Sequence, residues 1–481
     1  MSDTDQSSDS SDAAQTPNPG SAVRALRSDA VFGGILSTQF LGAFNDNFFK
    51  QLVLLQCAAL ATPVVDRQPL ALAAFALPFV LLSGLGGYIS DRFSKRTVIV
   101  WCKVAEIAVM AAALLVLFLH GPNSPAQLPL LIVVLAFMGA QSAIFGPSKY
   151  GILPELFSSG KLLPVNGAIQ MTTFIAIIFG MAGAGIALDN FDDSLWLCSM
   201  IAVGIAVLGT GTSLFIRPTP VAEPQLKLKA GNLFIPGDIW RLFRSEPQIA
   251  RAILVMMLFW FIGGVAQPAV NTLGENVFSL SKTRTSLMAA SIGIGIAIGC
   301  VVSGFANKSG AADGARWTTR GGWMIVGSLL LISLFASGVL GGPNESATES
   351  ADQVPGILYS IGVANVIEWS LRLSMFLLGI SAGIFVIPIQ VYVQETPPPD
   401  QKGRLIGAMN FVTWIGILLS AAFLQIMNSV TRFLGGAADP FKFQFVVFLT
   451  LAVLMAPVAL LYRLPSKQNV AARSDDEKTV V

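Results

Sequence analysis

Six polar side chains crowd one stretch of a long apolar run near the start of the chain: Gln39, Asn45, Asp46, Asn47, Lys50 and Gln51. A charge at the centre of a bilayer costs about 2.5–3.5 kcal/mol on insertion scales, so a polar group there is a functional candidate by default. On a helix Asp46 and Lys50 stand four residues apart with the acid first, the better orientation for an ion pair. The cluster exceeds what neutral insertion of one helix needs. Its chemistry is that of binding: acceptors, donors and one charge of each sign, ready to hold a polar cargo inside a membrane.

Two further pairs of opposite charge fall within apolar runs, Lys103 with Glu106 and Glu368 with Arg372. Their spacings of three and four residues read first as internal neutralisation that lets a helix insert. Bond-making chemistry has little to work with. There is a single histidine, His120, and no nucleophile motif. The four cysteines, Cys57, Cys102, Cys198 and Cys300, lie in apolar runs with no CxxC or Cys/His spacing, so no metal site and no cofactor is expected. The chain is therefore not read as an enzyme.

The elements that must position these groups are long and apolar. Of the 481 residues 53% are hydrophobic and 12% charged, against about 25% charged in an ordinary soluble chain. The mean hydropathy is +0.68. Crossing a hydrocarbon core takes about 20 apolar residues as a helix, and backbone groups in lipid must bond within their own segment. Solidly apolar runs exclude the short alternating segments of a β-barrel. Twelve spans are expected, near 31–56, 69–90, 97–120, 127–147, 162–188, 195–216, 250–274, 285–306, 322–341, 370–394, 404–429 and 441–463. The reading is an all-α integral membrane protein with two six-helix halves.

An even number of spans puts both termini on one side. With the termini cytoplasmic, most of the 30 Lys and Arg fall inside, leaving Arg67, Lys282, Arg284, Arg432 and Lys442 outside. That bias follows the positive-inside rule. The domain plan is a disordered cytoplasmic tail (1–30), a first half (31–216), a cytoplasmic linker (217–249), a second half (250–463) and a second tail (464–481). Within the linker, Gly237-Asp-Ile-Trp-Arg-Leu-Phe-Arg244 has the spacing of an amphipathic helix, with Trp240 and Phe243 suited to the headgroup region; a plain tether is the other reading. The outside loop 342–369 is acidic, with a short helix expected near 356–368. The halves also echo each other: Gly87 to Phe93 and Gly304 to Gly310 follow corresponding spans, a repeat typical of transporters with a site between the halves.

The loop Gly87-Tyr-Ile-Ser-Asp-Arg-Phe-Ser-Lys-Arg96 resembles the signature between the second and third helices of the major facilitator superfamily. The resemblance implies that fold and a latch at the cytoplasmic gate built from Gly87, Asp91, Arg92 and Arg96. A closer likeness lies in Gln39-Phe-Leu-Gly-Ala-Phe-Asn-Asp-Asn-Phe-Phe-Lys50 and in Phe145-Gly-Pro-Ser-Lys-Tyr-Gly-Ile-Leu-Pro-Glu-Leu156 followed by Asn166-Gly167. A third block runs from Val386-Ile-Pro-Ile-Gln390 through Gln394-Glu395 and Lys402-Gly-Arg404 to Asn410. Together they resemble the bacterial lysophospholipid transporter family, nearest the transporter domain of fused acyltransferase–acyl-ACP synthetases. Lys149 and Glu155 join the gating set on this resemblance.

The resemblance implies movement of lysophospholipid from the outer to the inner leaflet of the bacterial cytoplasmic membrane for reacylation. Asp46 could then meet an ammonium group, Lys50 or Lys103 a phosphate, and Asn45, Asn47, Gln267 and Gln390 the glycerol and headgroup. A fused acyltransferase would need an H-x4-D motif, and the residue five after His120 is Pro125, so the acylating enzyme is expected to be a separate protein. The expected partners are the lipid substrate and the bilayer, with the transporter a monomer and no nucleic acid bound. Two other readings stand beside it: a proton-coupled transporter of another amphipathic or small solute, titrating Asp46, Glu106 or Glu275, and a non-transporting receptor or scaffold.

Overall fold

The structure, a computed structural model, describes residues 30–60, 66–121, 124–157, 159–221, 223–226, 237–306, 311–339, 366–395, 402–436 and 440–465. Long helices dominate these residues. In chain order they are α1 (Ala30–Ala59), α2 (Gln68–Arg92), α3 (Lys95–Leu119), α4 (Gln127–Gly151), α5 (Ser159–Asn190) and α6 (Trp196–Ser213). After a linker helix at Gly237–Ser245 come α7 (Pro247–Thr272), α8 (Lys282–Ala306), α9 (Ala311–Ala336), α10 (Val366–Glu395), α11 (Lys402–Gly435) and α12 (Phe445–Leu461). Ten helices among the described residues are long and apolar enough to cross a membrane. The other two are α1, whose middle carries the polar stretch, and α12, a shorter apolar helix.

Several helices outrun the apolar runs that announce them. The span expected from 322 begins at Ala311, and the one expected from 370 begins at Val366. Hydropathy marks where hydrocarbon begins, whereas a backbone already hydrogen-bonded in a helix continues through the polar boundary. Pro69 and Pro247 stand in the first turns of α2 and α7, where the missing N–H is not needed. Pro78, Pro147, Pro268, Pro388 and Pro457 sit inside helices. Beyond Pro268, α7 finishes in a wider π turn at Leu273–Val277.

Buried apolar side chains gather in two large clusters, one within α1–α6 and one within α7–α12 that also takes in Met181 of α5. Large apolar side chains point outward all round, among them Trp101 at 67%, Phe137 at 63% and Phe433 at 87% exposure. Water would penalise such a surface, whereas lipid does not. Since lipid is as apolar as leucine, packing between the helices rests on close approach of small residues. Between α8 and α10 this is extreme: a Cβ at Gly295, Gly299, Gly379 or Gly383 would run into backbone of the facing helix.

Across the two groups, α2 packs on α11 and α5 on α8. The linker helix forms as its spacing predicts. Leu242 and Phe243 pack against the α7–α12 cluster, while Trp240 stays exposed, so Phe243 faces protein and not the headgroups. The chain before Ala30 and beyond Pro465 lies outside the described residues, as do 340–365 of the outer loop and with them most of the short helix expected near 356–368, whose last residues begin α10.

Candidate functional site

Helix α1 carries its polar groups along buried faces against three neighbours. Gln39 donates to Thr173 Oγ1 of α5 at 2.9 Å. Asn45, fully buried, donates to Glu106 Oε1 of α3 at 2.8 Å. Asp46 Oδ2 accepts from Ser142 Oγ of α4 at 2.7 Å, and Ser142 also donates toward Gln141 Oε1 at 3.0 Å. Asn47 turns back to the Ala43 carbonyl at 2.8 Å.

Asp46 and Lys50 do not pair, contrary to their spacing. The Lys50 ammonium donates to Asn47 Oδ1 at 3.1 Å and lies 5.6 Å from the Phe75 ring centre. Lys103 is paired instead with Glu106 at 2.5 Å, both side chains being 2% exposed, and it lies 5.0 Å from the ring centre of Phe145. The buried acceptors Gln39 Oε1, Asn45 Oδ1 and Asp46 Oδ1 have no hydrogen-bond partner. A buried acceptor without a donor costs about 1–3 kcal/mol, more when charged. Three such acceptors lie along α1.

Five of the seven residues expected to bind substrate are thus brought together: Asn45, Asp46, Asn47, Lys50 and Lys103. Gln267 joins through Gln51, whose Oε1 accepts its amide at 2.9 Å. Gln390 on α10 is half-buried and makes no hydrogen bond among the described residues. Near Lys50, the Trp414 ring of α11 stacks on Phe79 of α2 at 3.6 Å between ring centres and meets Phe75 edge-on at 6.1 Å. This aromatic wall joins the two helix groups beside the polar site.

Toward the ends of α1, α5, α7 and α11, opposite the chain termini, the groups are tied by a polar seal. Gln51 donates to Asn271 Oδ1 at 2.9 Å, Asn271 to Gln68 Oε1 at 3.2 Å, and Gln68 to Thr272 Oγ1 at 2.8 Å. Asp66, in the connection before α2, accepts from the Gln68 N–H at 2.9 Å and from Asn428 at 2.6 Å. Burial pushes its carboxyl above the ordinary value, against the opposing pull of these donors and Arg432. Close by in this end of the bundle, Glu368 binds both Arg372, at 2.5 Å, and Arg284.

At the other end the residues near the expected gate bond within α1–α6 and the segments that follow them, among the described residues. Lys95 pairs with Glu155 at 2.5 Å, and Arg96 Nε donates to the Ile216 carbonyl at 2.9 Å. Arg92 lies 6.0 Å from the Phe93 ring centre and Lys149 4.4 Å from that of Tyr150. Gly87 has open space where a Cβ would stand. Asp91 is exposed, its carbonyl accepting from Glu223 N–H at 2.9 Å. Sequence reasoning missed Ser142, Gln68, Asn271, Asp66 and Asn428. Ser142, Asn271 and Asn428 are single polar residues in apolar runs, and Asp66 and Gln68 lie in a short connection, which does not say which helices will meet.

Comparison with known proteins places this architecture. The profile of the Major Facilitator Superfamily matches residues 65–421. The chain belongs to that superfamily. It is similar to the lysophospholipid transporter LplT of Enterobacter sp. (strain 638), 25% identical over 385 residues that cover 74% of this chain and 90% of that one. LplT of Pectobacterium carotovorum subsp. carotovorum (strain PC1) is 26% identical over 370 residues, 75% of this chain and 77% of that protein. Among solved structures, a D-xylose-proton symporter superposes with a TM-score of 0.61 at 14% identity, covering 93% of this chain and 99% of that one. A bacterial homologue of the iron transporter ferroportin in an inward-facing state gives 0.58 at 13%, covering 89% and 98%. The protein is a multi-pass membrane transporter of the superfamily and not an enzyme.

Proposed function

We propose that this superfamily member carries lysophospholipid from the outer to the inner leaflet of the bacterial cytoplasmic membrane, by alternating access between two six-helix halves with both termini in the cytoplasm. The observation that carries the reading is Asp46 and Lys50 of α1, both half-buried, held on one face and bonded to different neighbours. A headgroup with an ammonium and a phosphate supplies what each lacks: a donor for Asp46 Oδ1 and an anion for Lys50. The likeness to the LplT proteins supports the same cargo. The single acyl chain stays in lipid or in an apolar groove between the halves. Reacylation falls to a separate acyltransferase, and the transporter works as a monomer.

In this reading the seal around Gln51, Gln68 and Asn271 closes the periplasmic side, so the structure is inward-facing. Gly87, Asp91, Arg92, Arg96, Lys149 and Glu155 form the cytoplasmic gate that closes in the opposite state. The purified protein should be stabilised against heat by lysophosphatidylethanolamine, and the Asp46→Asn variant should lose most of that stabilisation. Equal stabilisation of both proteins would remove Asp46 from the site.

A second reading, a proton-coupled transporter of another solute, draws on Glu275. Its Oε1 is buried without a partner on the π turn that ends α7. Uptake of lysolipid that ignores an imposed proton gradient would count against this second reading.

A further inference from the structure

Asp189 stands in the last turn of α5 and reaches across to the first turn of α8. Its Oδ2 accepts from the Thr283 N–H at 2.7 Å and its Oδ1 from the Lys282 N–H at 3.1 Å. The first N–H groups of a helix have no partner inside it, and the helix dipole favours an anion there. Asp189 therefore caps a helix that belongs to the other group of six. Asp192 adds an ion pair to the Lys282 ammonium at 2.8 Å. One turn before Asp189, Gly185 lets the two backbones close: a Cβ there would strike the Lys282 carbonyl and the Ser286 side chain. Ser286 in turn accepts from Gln51 at 3.4 Å, which joins this contact to the polar seal.

Asp91 holds the matching position at the other end. It lies at the close of α2, whose partner across the groups is α11, as α8 is the partner of α5. Its carboxylate is exposed and makes no hydrogen bond or ion pair among the described residues.

We infer that Asp189 is a positioning residue for transport: it latches the end opposite the termini by capping α8 across the two halves, and it must release when the Asp91 end closes. The inference rests on the alternating-access part of the proposed function and not on the cargo. The test uses Met181, buried on α5 below the latch, where it accepts a long contact of 3.4 Å from Gln267. In a background without the four native cysteines, Met181→Cys is labelled in intact spheroplasts by a membrane-impermeant maleimide added outside. Asp189→Ala should raise the labelling rate about tenfold, the effect of losing one helix cap of ordinary strength. Asp189→Asn, which keeps one acceptor oxygen, should raise it less. An unchanged rate in Asp189→Ala would overturn the latch, whatever the cargo proves to be. Should that variant not fold, Asp189→Cys with Thr283→Cys decides the matter. Bridged by a short bifunctional methanethiosulfonate, this pair should stop uptake of lysophosphatidylethanolamine, and reductant should restore it. Full uptake by the bridged protein would contradict the proposal.

Discussion

Lys50 follows Asp46 by about one turn of α1, yet the two remain unpaired: Asp46 is bonded to Ser142 of α4, and Lys50 to Asn47. An anion and a cation fixed on one helix without neutralising each other are costly in lipid. They suit a zwitterionic headgroup that bridges them.

Ser142 sets the direction of the Asp46 carboxylate. Ser142→Ala should raise the concentration of lysophosphatidylethanolamine needed for half-maximal uptake about tenfold, as expected for a hydrogen bond to a charged group worth about 1.5–3 kcal/mol. Ser142→Thr keeps a hydroxyl and should behave nearly as the native protein. Concentration dependence of uptake checks this, and a Ser142→Ala curve that overlays the native one would free Asp46 from Ser142.

The Lys103–Glu106 pair is buried with the Asn45 amide on the other carboxylate oxygen. Removing one partner of a buried pair costs about 3–5 kcal/mol, while replacing both can be nearly neutral. Lys103→Met should therefore lower the unfolding midpoint in detergent well below that of Lys103→Met/Glu106→Gln. Uptake by a stable double variant then tells whether Lys103 also touches substrate.

Asp66 makes the seal pH-dependent. Its folded carboxyl titrates above the ordinary 3.8 because it is buried. A raised folded value means that its contribution to stability is fully present below about 3.8 and is lost as pH rises through the folded value. Acidification from neutral pH should thus stabilise the native protein more than Asp66→Asn. Parallel melting-temperature profiles across that range would contradict the assignment.

Asp91, exposed at the close of α2, is expected to act in the opposite state. Asp91→Ala should lower maximal uptake several-fold with little change in half-saturating concentration. A change in half-saturation alone would place Asp91 in binding rather than gating.

Much of this was legible in the sequence because hydrocarbon imposes one rule on every crossing segment. The helices stand where the apolar runs lie, and the cluster from Gln39 to Gln51 stands out because lipid leaves few such groups in place. Partner choice was not legible. The spacing of Asp46 and Lys50 suggested a pair, but Ser142, nearly a hundred residues on, claims the carboxylate. Gln267, expected at the headgroup, donates to Gln51 in the seal. The seal itself joins Gln51 to Asn271 and Asp66 to Asn428, contacts set by how α1, α2, α7 and α11 pack and by no local pattern.

The central claim is tested most directly by uptake of radiolabelled lysophosphatidylethanolamine into spheroplasts expressing the protein, set against an empty vector and Asp46→Asn at matched membrane levels. The account predicts uptake that needs the protein and falls to background in Asp46→Asn. Absence of uptake by the native protein, or full uptake by Asp46→Asn, would contradict it: the first would assign the polar site to another cargo, and the second would move the headgroup away from Asp46.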